Sequence, residues 1–320
     1  MKLIPAEGDV LAQILDESHE IWSDGLTRPA YGRYNQAQTR TRWGSPHLRR
    51  FALVDGAGRL LSSAKRYDFR ATLDGREIGV VGIGAVFTPA GARRQGHARS
   101  VVQAIVADAA NDGAELALLF SEIDPSYYAA VGFSAIPRHE LTVRTKAFRG
   151  SPMILARAGE DRDIGAVTAL ANAMRTGHRF SFVQTEPFVR HALSKKRLLA
   201  GFLQPGILSV DFYIVEEGAG AVAFAILTAT ADDVVLEMCG DRDPAGARVG
   251  ALLQVLRART PSESAADISC FLPPGWLPPQ LELVSTSLVR EVMMVRPLKP
   301  DVLRSPLTEQ DVLYWHGDLF

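Results

Sequence analysis

Arg93-Arg94-Gln95-Gly96-His97-Ala98 decides how this chain is read. The stretch follows an apolar, glycine-punctuated run from Ile78 to Phe87. It opens a segment in which Ala98, Val101, Val102, Ile105, Val106 and Ala109 recur at helical spacing. A strand, a short basic glycine turn and a helix make an arrangement that holds phosphates. The turn's N–H groups and the helix N-terminus point at the anion, and the helix dipole favours negative charge there. Arginines add forked, charge-assisted hydrogen bonds. Gly96 has no Cβ, so a phosphate can approach the backbone. Gly79, Gly82 and Gly84 interrupt the preceding strand, which marks a bulge or the close approach of a ligand. No Gly-x-x-x-x-Gly-Lys-Ser/Thr is present, and no Gly-x-Gly-x-x-Gly lies between the first strand and helix. A Walker-type loop and a dinucleotide fold are therefore disfavoured.

The 320 residues suggest about two domains. With 47% hydrophobic and 22% charged residues, the composition is that of an ordinary globular protein. A net charge of -1 supplies no field that would draw the chain to nucleic acid or to a membrane surface. Cys239 and Cys270 are the only cysteines, which argues against a disulfide scaffold and fits a reducing compartment. They read as small buried hydrophobes. The N-terminus lacks a signal-peptide pattern, and no apolar run approaches the roughly 20 residues that span a bilayer. A soluble, cytoplasmic protein is expected.

Pro89-Ala90-Gly91-Ala92-Arg93 recurs as Pro244-Ala245-Gly246-Ala247-Arg248. The turn Leu53-Val54-Asp55-Gly56-Ala57-Gly58 has a counterpart in Ile214-Val215-Glu216-Glu217-Gly218-Ala219-Gly220. Two similar tandem units are expected, 1–150 and 151–320, divided near Phe148-Arg149-Gly150-Ser151-Pro152 where turn formers cluster. In the first unit, strands are expected at 2–5, 50–55, 60–69, 78–87 and 116–120, with helices at about 9–22 and 98–110. A short helix begins at Asp124-Pro125 and ends at Gly132. A last strand, Leu141–Thr145, closes the unit. Mixed strands with helices on both faces give an α/β fold, an α+β mixed sheet in each unit.

Val86-Phe87-Thr88-Pro89, then Arg93-x-x-Gly96-x-Ala98 opening a helix, then Leu116–Phe120 and Tyr128-Ala129-Ala130-Val131-Gly132-Phe133 resemble the GNAT superfamily of acyl-CoA-dependent N-acyltransferases. The resemblance covers roughly residues 1–150. It implies an acetyl-CoA-dependent N-acetyltransferase, with acetyl-CoA as co-substrate, no metal, and transfer to a primary amine by direct attack in a ternary complex. The backbone of Val86, Phe87 and Thr88 would pair with the pantetheine arm and acyl carbonyl. Arg93, Arg94, Gln95, Gly96, His97 and Ala98 would hold the pyrophosphate. Ser121 would line the cofactor channel, and Tyr128 would protonate the departing thiolate. Which of Tyr127 and Tyr128 faces the site is open. Glu122 has two readings, activation of the amine (directly or through water) and a capping or solvating role. His97 reads as a helix-start surface residue rather than a base. A non-catalytic acyl-CoA-binding sensor or interaction module is the alternative.

The acceptor side is expected after the first helix. From Gly25 to Val54 there is no Asp or Glu, but Arg28, Arg33, Arg40, Arg42, Arg49 and Arg50 alternate with Tyr31, Tyr34 and Trp43. Three readings stand: an acidic acceptor or CoA phosphates, a packed helix pair with a solvated basic face, and docking on the second unit. The acceptor itself, a small molecule or a protein lysine, is open, as is the oligomeric state. The second unit lacks an Arg-Gln-Gly-His equivalent and reads as a degenerate copy that shapes the acceptor cleft. The tail Tyr314-Trp315-His316-Gly317-Asp318-Leu319-Phe320 is too aromatic for a free end and is expected to dock. Tandem acyltransferases of the enhanced-intracellular-survival and mycothiol-synthase families are similar in organisation. In the former the terminal carboxylate serves as base. The resemblance implies that role here for the Phe320 carboxylate or for Asp318.

Overall fold

The computed structural model describes residues 1–147, 154–259 and 267–320. The boundary expected at 148–152 falls outside the described residues. The first half of the chain runs β1 (Lys2–Pro5), α1 (Gly8–Trp22), α2 (Arg28–Thr39), α3 (Gly44–His47), β2 (Leu48–Val54), β3 (Leu60–Leu73), β4 (Arg76–Phe87), α4 (His97–Asn111), β5 (Leu116–Ser121), α5 (Ser126–Ala129), β6 (Ser134–Ile136) and β7 (His139–Thr145). It continues with β8 (Leu155–Ala158), α6 (Ile164–Ala173), β9 (Phe180–Phe182), α7 (Glu186–Phe202), β10 (Ser209–Glu217), β11 (Gly220–Ala229) and β12 (Val234–Asp241). The last elements are α8 (Ala247–Arg259), β13 (Ile268–Cys270), β14 (Leu281–Leu288), β15 (Val292–Pro297) and β16 (Val312–Leu313). No helix among the described residues is long and apolar enough to cross a membrane.

Two compact units emerge, and they interleave along the chain. One comprises Met1–Pro137, Arg290–Thr308 and Phe320; the other comprises Arg138–Val289 and Glu309–Leu319. The sheet of the first runs β1-β2-β3-β4-β5-β15-β6, and that of the second runs β14-β7-β13-β12-β11-β10-β8. In the first, β4 and β5 are parallel and the other neighbours antiparallel. In the second, only β12 and β13 are parallel. Strand for strand, the two sheets have the same order and sense.

The expectation that Leu141–Thr145 closes the first unit is corrected. That strand, within β7, pairs with β13 and β14 in the second unit. The place beside β5 in the first sheet is taken by β15, whose Met293, Met294 and Val295 are buried there. β7 alternates apolar and polar residues and β15 opens on a continuous apolar run, Val292 to Val295, but both are short strands whose pairing partners lie far off in the chain, so the sequence around each does not name the sheet that it joins.

Local chemistry explains the elements that carry the site. The β3–β4 hairpin turns on Asp74 (φ 49) and Gly75 (φ 78), the pair of left-handed residues that a two-residue turn of strand-compatible twist requires. Thr27 caps α2 by accepting from the Ala30 N–H, with Pro29 in the first turn. One stripe of α4 (Val101, Val102, Ile105, Val106, Ala109) is buried against Phe51, Ala64, Val81 and Ile83. Arg66 of β3 anchors the same helix: its guanidinium meets Asp68 at 2.8 Å, Asp108 at 2.6 Å and Asp112 at 2.7 Å. The orientation of α4 is thus held by both apolar burial and a charged clamp.

Candidate active site

The site lies at the C-terminal end of β4. Along β3 the register runs Ser63 to Phe87, then Lys65 to Gly84, so β4 carries one extra residue there. Ala85 sits at that bulge with φ 46, costly for a residue with a Cβ. Pairing with β5 ends at Ile83 and Leu119, although β4 continues to Phe87 and β5 to Ser121. From Gly84 onward β4 therefore presents an edge that β5 leaves unpaired. Two carbonyls near its end are engaged by side chains: Phe87 accepts from the Ser62 hydroxyl at 2.7 Å, and Thr88 from Arg93 Nε at 3.1 Å.

After a single 3-10 turn at Ala90–Ala92 the chain reaches the basic turn. Arg94 (φ 62) and Gly96 (φ 80) are both left-handed, and α4 starts directly after Gly96. No side chain caps α4, and its first turn carries no acid. The first N–H groups of a helix lack intrahelical partners, so this terminus is an anion site in waiting. Arg93, Arg94 and Gln95 are exposed, and space is open around a Cβ placed on Gly96. These features fit a pyrophosphate. His97 is half-buried, with Nδ1 unpartnered.

Tyr128 lies in α5 and is buried, its ring edge-on to Tyr127 at 5.1 Å and to Phe133 at 6.3 Å. Burial, and then the neighbouring Tyr127, push its phenol up to about 12. Tyr127 is half-buried. Ser121 is buried and donates to the Ile123 carbonyl at 2.9 Å, so its hydroxyl serves its own loop. Glu122 is exposed.

Phe320 is part of this unit. Its ring packs on Tyr67 at 4.6 Å, Phe69 at 5.0 Å and Phe120 at 5.3 Å. A Cβ on Gly82 would lie 2.6 Å from both the Phe320 and the Phe69 rings, and a Cβ on Gly84 would lie 3.2 Å from the Phe320 main-chain oxygen and from the Tyr67 ring. This revises the expectation for the strand glycines. The bulge is at Ala85; Gly82 and Gly84 make room for the packed rings of Phe320, Phe69 and Tyr67. The Phe320 main-chain oxygen lies beside the point where β4 leaves β5. Asp318 belongs to the second unit, where it accepts from Trp315 N–H at 2.9 Å and Gln184 Nε2 at 3.0 Å. It caps the turn there, and burial pushes its carboxyl up to about 6. Tyr314 and Trp315 are also buried in that unit.

The sequence model for the acetyltransferase (GNAT) domain matches residues 13–136. These residues form a GNAT acetyltransferase domain. Solved structures of similar fold include a GCN5-related N-acetyltransferase from Kribbella flavida, with 15% identity, TM-score 0.68, and 94% of this chain and 73% of that one covered. A probable N-acyltransferase of unknown function from Enterococcus faecalis V583 has 12% identity, TM-score 0.68 and the same coverage. A GCN5-related N-acetyltransferase from Anabaena variabilis has 10% identity and TM-score 0.66, with 93% and 73% covered. No curated protein matches. At such identities the likeness is one of fold. The chemistry of the GNAT domain is acyl transfer.

The second unit handles the same position differently. Gly246 (φ 72) directly precedes α8, as Gly96 precedes α4, so the repeated Pro-Ala-Gly-Ala-Arg motif is out of structural register between the two units. The Asp241 carboxylate accepts from the N–H groups of Arg248 at 2.9 Å and Val249 at 3.0 Å. Trp276 covers Gly246 and donates to the Pro244 carbonyl at 2.8 Å. The helix terminus that stays open in the GNAT domain is thus closed by the unit's own carboxylate and indole. Cys239 and Cys270 are buried there, and burial raises both thiols, Cys270 to about 12.

Sequence reasoning missed the strand exchange, the glycine seat of Phe320 and the isolation of Arg50. Only the Asp-Gly pair at the β3–β4 turn carried a local signal that could have been read.

Proposed function

We propose that the GNAT domain is an acetyl-CoA-dependent N-acetyltransferase that moves an acetyl group to a primary amine by direct attack in a ternary complex. The observation that carries this reading is the end of β4, where the strand edge is unpaired beside Phe320; the uncapped start of α4, ten residues on, supports it. The N-terminus of α4 with Arg93 to Ala98 holds the pyrophosphate, and the free edge from Gly84 to Thr88 holds the pantetheine arm and thioester carbonyl. The amine nitrogen forms a bond to the carbonyl carbon as the Phe320 carboxylate takes its proton. The C–S bond then breaks and CoA leaves as the thiol.

A phenol near 12 is a poor proton donor to a thiolate whose own value is about 8.5. Full transfer would be uphill by about 5 kcal/mol, at about 1.4 kcal/mol per unit. Tyr128 therefore donates a hydrogen bond to the developing thiolate, and bulk solvent completes the protonation. Tyr128→Phe is expected to lower kcat about 10- to 100-fold, the worth of one hydrogen bond to a charged group. Stopped-flow thiol release checks it, and an unchanged kcat removes Tyr128 from the chemistry.

Gly82→Ala, whose Cβ would press on the Phe320 and Phe69 rings alike, is expected to push the Phe320 ring off its seat. A misplacement of this kind costs about 100-fold in turnover, with acetyl-CoA affinity retained. Turnover equal to wild type would detach Phe320 from the reaction. The overall reading is tested by thiol release across a broad amine and peptide panel. CoA binding by calorimetry without any turnover would instead identify an acyl-CoA sensor.

A further inference from the structure

Arg50 of β2 lies opposite Lys65 of β3, and Lys65 lies opposite Gly84 of β4. Alternate residues of a strand share a face, so Arg50, Ser63, Lys65, Tyr67 and Gly84 line one side of the sheet, the side on which Phe320 packs, and the Lys65 ammonium is a second cation there. Arg50 Nη1 is buried and has no hydrogen-bond partner, and Nη2 reaches Asn35 Oδ1 only at 3.5 Å. The titratable groups that face it are the phenols of Tyr31 and Tyr67. No carboxylate meets it, and its own segment, 25–54, contains none. Its neighbours on the chain differ: Arg49 pairs with Asp68 at 2.7 Å, and Arg28 with Asp16 at 2.8 Å. The Ser63 hydroxyl on the same face is also buried without a partner.

An unpaired buried cation is costly to keep, and burial lowers the Arg50 guanidinium from its usual range. We infer that Arg50 receives a carboxylate carried by the acceptor, so that the amine substrate is a small amino acid or a similar amine with an anionic group. The inference rests on the acetyltransferase reading. Arg50 and Gly84 are two strand spacings, roughly 10 Å, apart, with Lys65 between them on the same face. With its carboxylate on Nη1 and a hydroxyl contact from Ser63, the acceptor would present its amine toward the unpaired edge of β4.

The test measures thiol release from acetyl-CoA by the full chain, with α- and ω-amino acids and their carboxamides, for wild type and Arg50→Gln. The wild type is expected to prefer acids over amides by about 10- to 100-fold in kcat/KM, the worth of a charge-assisted hydrogen bond. In Arg50→Gln the preference should vanish through KM, with CoA affinity unchanged and the melting temperature equal or higher. Equal use of acids and amides by the wild type overturns the inference, as does an Arg50→Gln variant that is destabilised but keeps the preference. If no amine releases thiol, the acetyltransferase reading fails on its own. Calorimetry of N-acetyl amino acids against both proteins then decides Arg50 separately: tighter binding to wild type supports it, and equal binding or none overturns it.

Discussion

Appending two residues after Phe320 is expected to lower turnover about 100- to 10,000-fold, the range of a lost general base, while acetyl-CoA still binds. The Phe320 ring is seated by Tyr67, Phe69 and Phe120 over two glycines, and its carboxylate lies at Gly84 where β4 leaves β5. An extension converts that carboxylate into an amide, which is no base, and carries the new terminal charge away. The ring keeps its seat, so the fold should survive and the comparison isolates the charge. Phe320→Ala makes the complementary change: the carboxylate stays but loses its anchor, and an intermediate loss is expected. Thiol-release kinetics with calorimetry of acetyl-CoA separates the two effects. An extended chain that turns over at the wild-type rate would show that the terminal carboxylate takes no part.

Gly96→Glu is expected to weaken CoA binding by about 100-fold or more, on the scale of losing one or two charge-assisted contacts. The substitution meets no steric obstacle, because nothing lies within 4 Å of a Cβ there. Its conformational cost is that of a left-handed non-glycine residue, about 1–2 kcal/mol. Part of that is offset, because an acid at a helix N-terminus contributes roughly 0.3–1 kcal/mol. The protein should therefore remain folded while its own carboxylate competes for the N–H groups that the pyrophosphate needs. The second unit contains this arrangement already, with Asp241 closing the start of α8. Gly96→Ala is the control for backbone strain and should cost far less than Glu. Similar losses for Ala and Glu, read by calorimetry, would assign the effect to conformation rather than to charge.

The turn from Arg93 to Ala98 and the helix after it were legible in the sequence because both are local. A glycine at a left-handed position and an apolar stripe at helical spacing declare themselves within about 20 residues. The short helix was legible as an element for the same reason, although it spans Ser126–Ala129 and stops before the left-handed Gly132 (φ 86). The strand glycines were legible as an anomaly but not in their meaning. Gly82 and Gly84 read as room for a ligand, and the structure fills that room with Phe320. Arg50 stood among six arginines in an acid-free segment, and only packing distinguished it, by leaving its Nη1 buried and unpartnered.

By itself the sequence determined the elements, the phosphate-holding turn and the α/β class, since backbone preferences and periodicity act over one or two turns of chain. The tertiary structure decided that β15 rather than β7 lies beside β5, that Phe320 reaches β4, and that Arg50 is buried with its Nη1 unpartnered. Those outcomes depend on pairings between distant segments. A strand's own residues do not name its neighbour, and only the shape and hydrogen-bond edges of the assembled sheet choose among the candidates.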